Sequence, residues 1–192
     1  MNTNKTLSIP FSSNELTPAQ VKALANYLPD NFLPKIKAIT TVKQALEHKT
    51  STLAKISKQV GAVRTEALIK IYLVRVNELL DLKKPLSEEA INEIAHILTT
   101  EYYNLNMTDV VFVLQQAIKG RYGEMFETLN ISKVVKWFDI YFNERCNTAE
   151  EMSYKEAHQY RSTFGRERSS DALDEQREFS KQYTINKKIN TK

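Results

Sequence analysis

Glycine, proline and cysteine are all scarce in this chain of 192 residues, with four, five and one copies respectively. Tight hairpins draw on Gly and Asn-Gly pairs, so little material remains for a barrel or a hairpin sheet. Helices are the expectation. The lone Cys146 rules out an intramolecular disulfide and any zinc centre built on two or more thiolates, and it fits a reducing, cytoplasmic setting. Long apolar runs are also missing. No stretch approaches the roughly 20 apolar residues a bilayer span requires, and the start, MNTNKTLSIPFSSNELTP, lacks the charged and then apolar pattern of a secretory leader. No membrane partner is expected.

What the chain does carry is charge of both signs, unevenly spread. The formal net charge is +4, yet residues 1–86 hold 13 Lys and Arg against 6 acids, residues 87–164 hold 7 against 12, and residues 165–192 hold 7 against 5. A basic first half can present a surface to phosphate or to an acidic partner, unless folding interleaves the signs and cancels the field.

Residues 1–16 show no helical stripe and read as an extended arm, with Phe11 and Leu16 as docking points. Thr17 followed by Pro18 is a helix start, with Val21, Leu24 and Leu28 on one face and a break at Asp30 and Asn31. From 32 to 60 the apolar residues recur at intervals of three, four and seven with lysines between them, an amphipathic helical pattern that Gly61 interrupts. Residues 62–82 are apolar on more than one face, as a helix central to the core would be. Ser87 with Glu88 and Glu89 caps the next helix, and Thr108 with Asp109 opens another whose β-branched run, 110–114, would also suit a short strand. Gly120 stops it, and Ser132 begins an aromatic-rich helix. From 162 to 192 the chain turns polar and reads as a frayed helix passing into a mobile tail. The expected fold is therefore all-α, an irregular bundle of about six to seven helices. Its helical domain covers 17–161, with basic helices over 17–84 and acidic, aromatic-rich ones over 87–161.

No pattern specifies catalysis. Glu93 and His96 form one Glu-x-x-His pair, but a di-iron bundle needs a second, and HExxH, CxxC and both glycine-rich phosphate loops are absent. Cys146 sits in an acidic neighbourhood that disfavours a thiolate. No metal, cofactor or enzymatic activity is expected. The candidate nucleic-acid-binding residues are Lys35, Lys37, Lys43, Lys55, Lys58, Arg64, Lys70, Arg75 and Arg121, able to neutralise a phosphate backbone with salt-dependent, loosely sequence-specific affinity. A solvated helix face would use the same lysines. The candidate protein-binding residues are Tyr122 in the turn Gly120-Arg121-Tyr122-Gly123, together with Trp137, Phe138, Tyr141 and Arg145 on the aromatic helix; core packing would place the same aromatics on one stripe.

The segments LLDLKKPLSEEAI, TEYYNLNMTDVVFVLQQAIKGRYGEMFETL and WFDIYFNERCNTAEEMS, within residues 79–156 and about 40% of the chain, resemble a family of small proteins from Bacteroides-type bacteria, their phages and mobile elements. That resemblance implies a mobile-element setting and brings no catalytic residues. A compact helical body with a charged tail is also similar in arrangement to small replication accessory proteins such as phage-type helicase loaders. The resulting expectation is a non-enzymatic accessory protein that contacts DNA or another polyanion and a protein such as a replisome component. A protein-interaction or assembly module without nucleic-acid binding is the alternative.

Overall fold

The computed structural model describes residues 16–80, 82–123 and 128–189, and over 161–174 and 179–189 it describes the backbone alone. The proposed arm, Phe11 included, lies outside these residues except for Leu16. The described residues are all-α, with eight helices and no strand: α1 (Pro18–Ala25), α2 (Pro29–Ile36), α3 (Val42–Glu47), α4 (Leu53–Val60), α5 (Ala62–Leu80), α6 (Glu88–Thr100), α7 (Met107–Ile118) and α8 (Ile131–Ile189). They divide into two units, with the boundary between Asn143 and Glu144.

The pattern expected as one helical stretch over 32–60 is three short helices. Local hydrogen bonding explains the cuts. Pro34 lacks the N–H that would bond back along α2, which ends two residues later. At α3, the Thr41 hydroxyl accepts from Gln44 N–H while the Gln44 side-chain oxygen accepts from Thr41 N–H at 3.2 Å and Thr40 N–H at 2.9 Å. That reciprocal cap fixes a new helix start. At α4, Thr52 accepts from Lys55 N–H, and the otherwise orphaned N–H groups of Leu53 and Ala54 donate to Leu105 and Tyr103 carbonyls, both at 2.9 Å. Gly61, at φ 91°, then redirects the chain into α5.

Asp30 and Asn31 do not break α1; they lie in the first turn of α2, whose Pro29 occupies the position where a missing N–H is harmless. Asn31 nevertheless helps end α1, since its side-chain N–H donates to Ala25 O at 2.8 Å.

Ser87 caps α6 as the sequence suggests, accepting from Ala90 N–H, and Glu89 has its carboxyl held below its ordinary value by its own backbone N–H and by Ser87. For α7 the cap is Asn106 rather than Thr108. Asn106 and Asp109 exchange bonds, each backbone N–H donating to the other's side chain at 2.9 Å. Thr108 is instead buried inside the helix. The β-branched run over 110–114 is helical because burial overrides strand propensity: ten of the twelve α7 residues are buried, so this helix is the centre of the first unit. Its end is set by Gly120 at φ 79°, with Arg121 N–H donating to Gln116 O in the wide closing bond of a left-handed helix terminus.

Around α7, helix α5 packs against α4, α6 and α7. The first part of α8, capped by Asn130 rather than started by Ser132, adds Val134, Trp137, Phe138 and Tyr141 to the same core. Each such fully buried large side chain is worth about 1.5–3 kcal/mol of transfer free energy.

In the second unit, α8 is helical in backbone through Ile189, covering most of the segment read from sequence as frayed helix or tail. Its described side chains are mainly exposed, including Tyr154 and Tyr160. Local support comes from Thr148 donating to Glu144 O at 2.7 Å and from an exposed Lys155–Glu151 pair at 3.8 Å.

Candidate binding groove

Helices α2, α5 and α7 leave a groove of about 790 Å³ between them. Its shape follows from how each helix divides its residues. On α2, Phe32 and Ile36 turn into the core, which leaves Leu33 half-buried at the groove. On α5, Tyr72, Val76 and Leu79 recur one helical turn apart; the first two are buried and form the floor, whereas Leu79 is 51% exposed at the lip. On α7, Val111 and Leu114 complete the floor and Ile118 the far wall.

Lys37, Arg75 and Lys119, each on a different helix or its cap, are exposed on the groove lining, with Asp30 as its acid. Lys37 and Lys119 occupy the C-terminal caps of α2 and α7, where unpaired carbonyls carry partial negative charge. Arg75 lies within α5, so helix-end electrostatics does not explain it. None of the three makes an ion pair with an acid among the described residues.

The Tyr72 hydroxyl donates to Tyr27 O at 2.6 Å. Burial pushes its pKa well above the usual phenol range, against an opposing pull from the Arg75 guanidinium. It stays a neutral donor. The lining therefore offers apolar contact and positive charge, a combination suited to holding a ligand.

The structure treats the nine predicted cationic residues unequally. Lys37 and Arg75 come together at the groove. Lys43 pairs with Glu47 at 3.7 Å, Lys70 with Glu66 at 4.0 Å, and the Arg64 guanidinium donates to Val60 O at 3.0 Å, so these three act on their own or neighbouring helices. Lys35, Lys55 and Lys58 are exposed, and Arg121 is exposed in the turn after α7.

The aromatic residues require a correction. Trp137, Phe138 and Tyr141 are 4%, 0% and 0% exposed and belong to the core, which removes them from any partner-binding surface. Tyr141 donates to Asp109 Oδ1 at 2.5 Å and packs 5.7 Å from Phe112, and Phe138 lies 5.8 Å from Tyr102. Tyr122 is half-buried and stacks on Trp137 with ring centroids 6.2 Å apart, so it extends the same packing. Arg145 is half-buried on the second unit.

Three further polar groupings have structural explanations. His48 and Thr50 both bond the buried Thr108 hydroxyl, at 2.8 and 3.1 Å, and His96 contacts Glu66 at 3.1 Å. The Tyr102 hydroxyl donates to Asp139, and burial first, then that carboxylate, raises its pKa above the usual phenol range. No group of three His, Cys, Asp or Glu side chains is placed to hold a metal ion among the described residues.

Sequence reasoning did not single out Lys119, Leu33, Leu79 or Ile118 as site residues. A signal existed in the Tyr72, Val76, Leu79 spacing, which continues the buried α5 face past what one neighbouring helix can cover. The chain matches no protein-family model, no curated protein and no solved structure.

Proposed function

We propose that this chain is a non-enzymatic accessory protein that works as an interaction module, holding a protein partner in the α2/α5/α7 groove. The observation that carries this reading is an apolar floor bordered by three exposed cations from separate elements. A partner that covers Leu33, Leu79 and Ile118 gains apolar burial, while carboxylates near Lys37, Arg75 and Lys119 supply orientation and encounter rate. Affinity purification from the source cells with the wild-type chain and with a Leu79→Asp/Arg75→Glu variant tests it. A protein retained by the wild type, lost with the variant and bound again after purification is the expected result. Identical recovery by both chains, with the variant folded by circular dichroism, overturns the reading.

A second reading is nucleic-acid association, including service as a replication accessory in a phage or mobile element. The exposed Lys35, Lys55 and Lys58, which pair with no acid among the described residues, favour it. Fluorescence anisotropy with single- and double-stranded DNA over a salt series decides it. Affinity that falls steeply with salt and weakens in a Lys55→Glu/Lys58→Glu variant supports association; no binding at low salt removes it.

A further inference from the structure

We infer that the groove's occupant is an amphipathic α-helix of a partner protein, with acidic residues beside its apolar stripe. This rests on the groove being the working surface. Main-chain recognition of an extended peptide requires a sheet edge with open N–H and C=O groups. The groove walls are helices, whose main-chain groups bond within each helix apart from the carbonyl that Pro34 cannot pair and those at the C-terminal ends of α2 and α7, so no open edge runs along the groove. Side-chain burial must therefore supply the affinity.

Dimensions agree with a helix. The eight residues of α2 run for about 12 Å at the α-helical rise, and a ligand helix with anchors at i, i+4 and i+7 spans about 10 Å. Two turns match the length of the wall. The exposed apolar atoms at the lip, led by Leu79 at 51% exposure, meet such anchors.

Charge sets the remaining chemistry. Three rim cations against one acid, Asp30, select an occupant with acidic flanks. Arg75 is the informative member, because it does not compensate a helix end. Single-stranded nucleic acid fits less well. Its bases need aromatic platforms, and the groove presents aliphatic side chains with one aromatic, Tyr72, whose hydroxyl is fixed beneath the Tyr27 carbonyl.

The test uses the full chain and a fluorescein-labelled synthetic peptide of about three helical turns, with leucines at i, i+4 and i+7 and glutamates flanking them. A second peptide has the same residues plus two central prolines, and a single-stranded oligonucleotide serves as competitor. The expected result is saturable binding of the helical peptide, weakened about tenfold or more by Leu79→Ser and by Arg75→Glu and unchanged by Lys136→Glu. Equal binding of the proline peptide, with the same sensitivity to both groove variants, overturns the helical occupant but leaves the groove as the working surface. Binding of neither peptide, or binding indifferent to both groove variants, overturns both. Displacement of the peptide from the groove by the oligonucleotide assigns the site to nucleic acid and overturns the inference.

Discussion

Helices α4, of eight residues, and α7, of twelve, both begin at a polar capping residue, yet one is peripheral and the other is central. Helix α4 buries Leu53, Ile56 and Val60 along one narrow stripe and exposes Lys55 and Lys58. Helix α7 buries ten of its residues, Asp109 among them. The difference shows that α4 is held by its first turn and one edge, whereas α7 holds by packing on nearly every side.

The largest effect should come from emptying the shared core. Phe138→Ala is expected to destabilise by about 3–5 kcal/mol in urea unfolding; an unchanged midpoint would return Phe138 to the candidate interface and break the distinction. Next is the buried polar bond. Tyr141→Phe leaves the Asp109 oxygen without that donor, and a loss of about 1.5–3 kcal/mol by the same measurement is expected.

Alkaline pH probes two of the buried tyrosines. Tyr72 and Tyr102 both have folded-state pKa values pushed above the ordinary phenol value of about 10, so their contribution is intact below that pH and declines as pH rises through the folded values. Circular dichroism should show stability falling above about pH 10, with a smaller fall for Tyr72→Phe. A flat profile would mean that these hydroxyls reach water. The smallest effect belongs to the periphery. Thr41→Ala removes one side of the α3 cap and should cost about 1 kcal/mol, and a loss as large as that of Phe138→Ala would abolish the contrast between edge and centre.

The all-helical class was legible because glycine and proline are scarce and the apolar spacing is helical throughout. Ser87, Gly61 and Gly120 marked boundaries through chemistry local to each. Three features were hidden. The divisions within 32–60 depend on Gln44 reaching back to Thr41 and on Leu105 and Tyr103 accepting from α4, and only the first of these lies within a few residues. The aromatic stripe around Trp137 has the same periodicity whether it faces a core or a partner, and the neighbours that decide are Tyr102, Asp109, Phe112 and Tyr122. The groove was missed because Lys37, Arg75 and Lys119 converge only when three separate elements meet, although two of the three stood among the predicted cations.

The bonds from Leu53 and Ala54 to Leu105 and Tyr103, and from Thr108 N–H to the Thr50 hydroxyl 58 positions earlier, also impose an order of events during synthesis. Helix α4 reaches the solvent long before the acceptors for its first amides have been made. Until the turn ahead of α7 emerges, those amides are left to water, although α4 can already pack its apolar edge on α5. The basic half of this protein is translated first, yet the start of α4 is closed last, so a nascent chain whose residues 103–105 have not left the ribosome would pack α4 on α5 while leaving the Leu53 and Ala54 amides open to solvent exchange, and emergence of that turn would protect them.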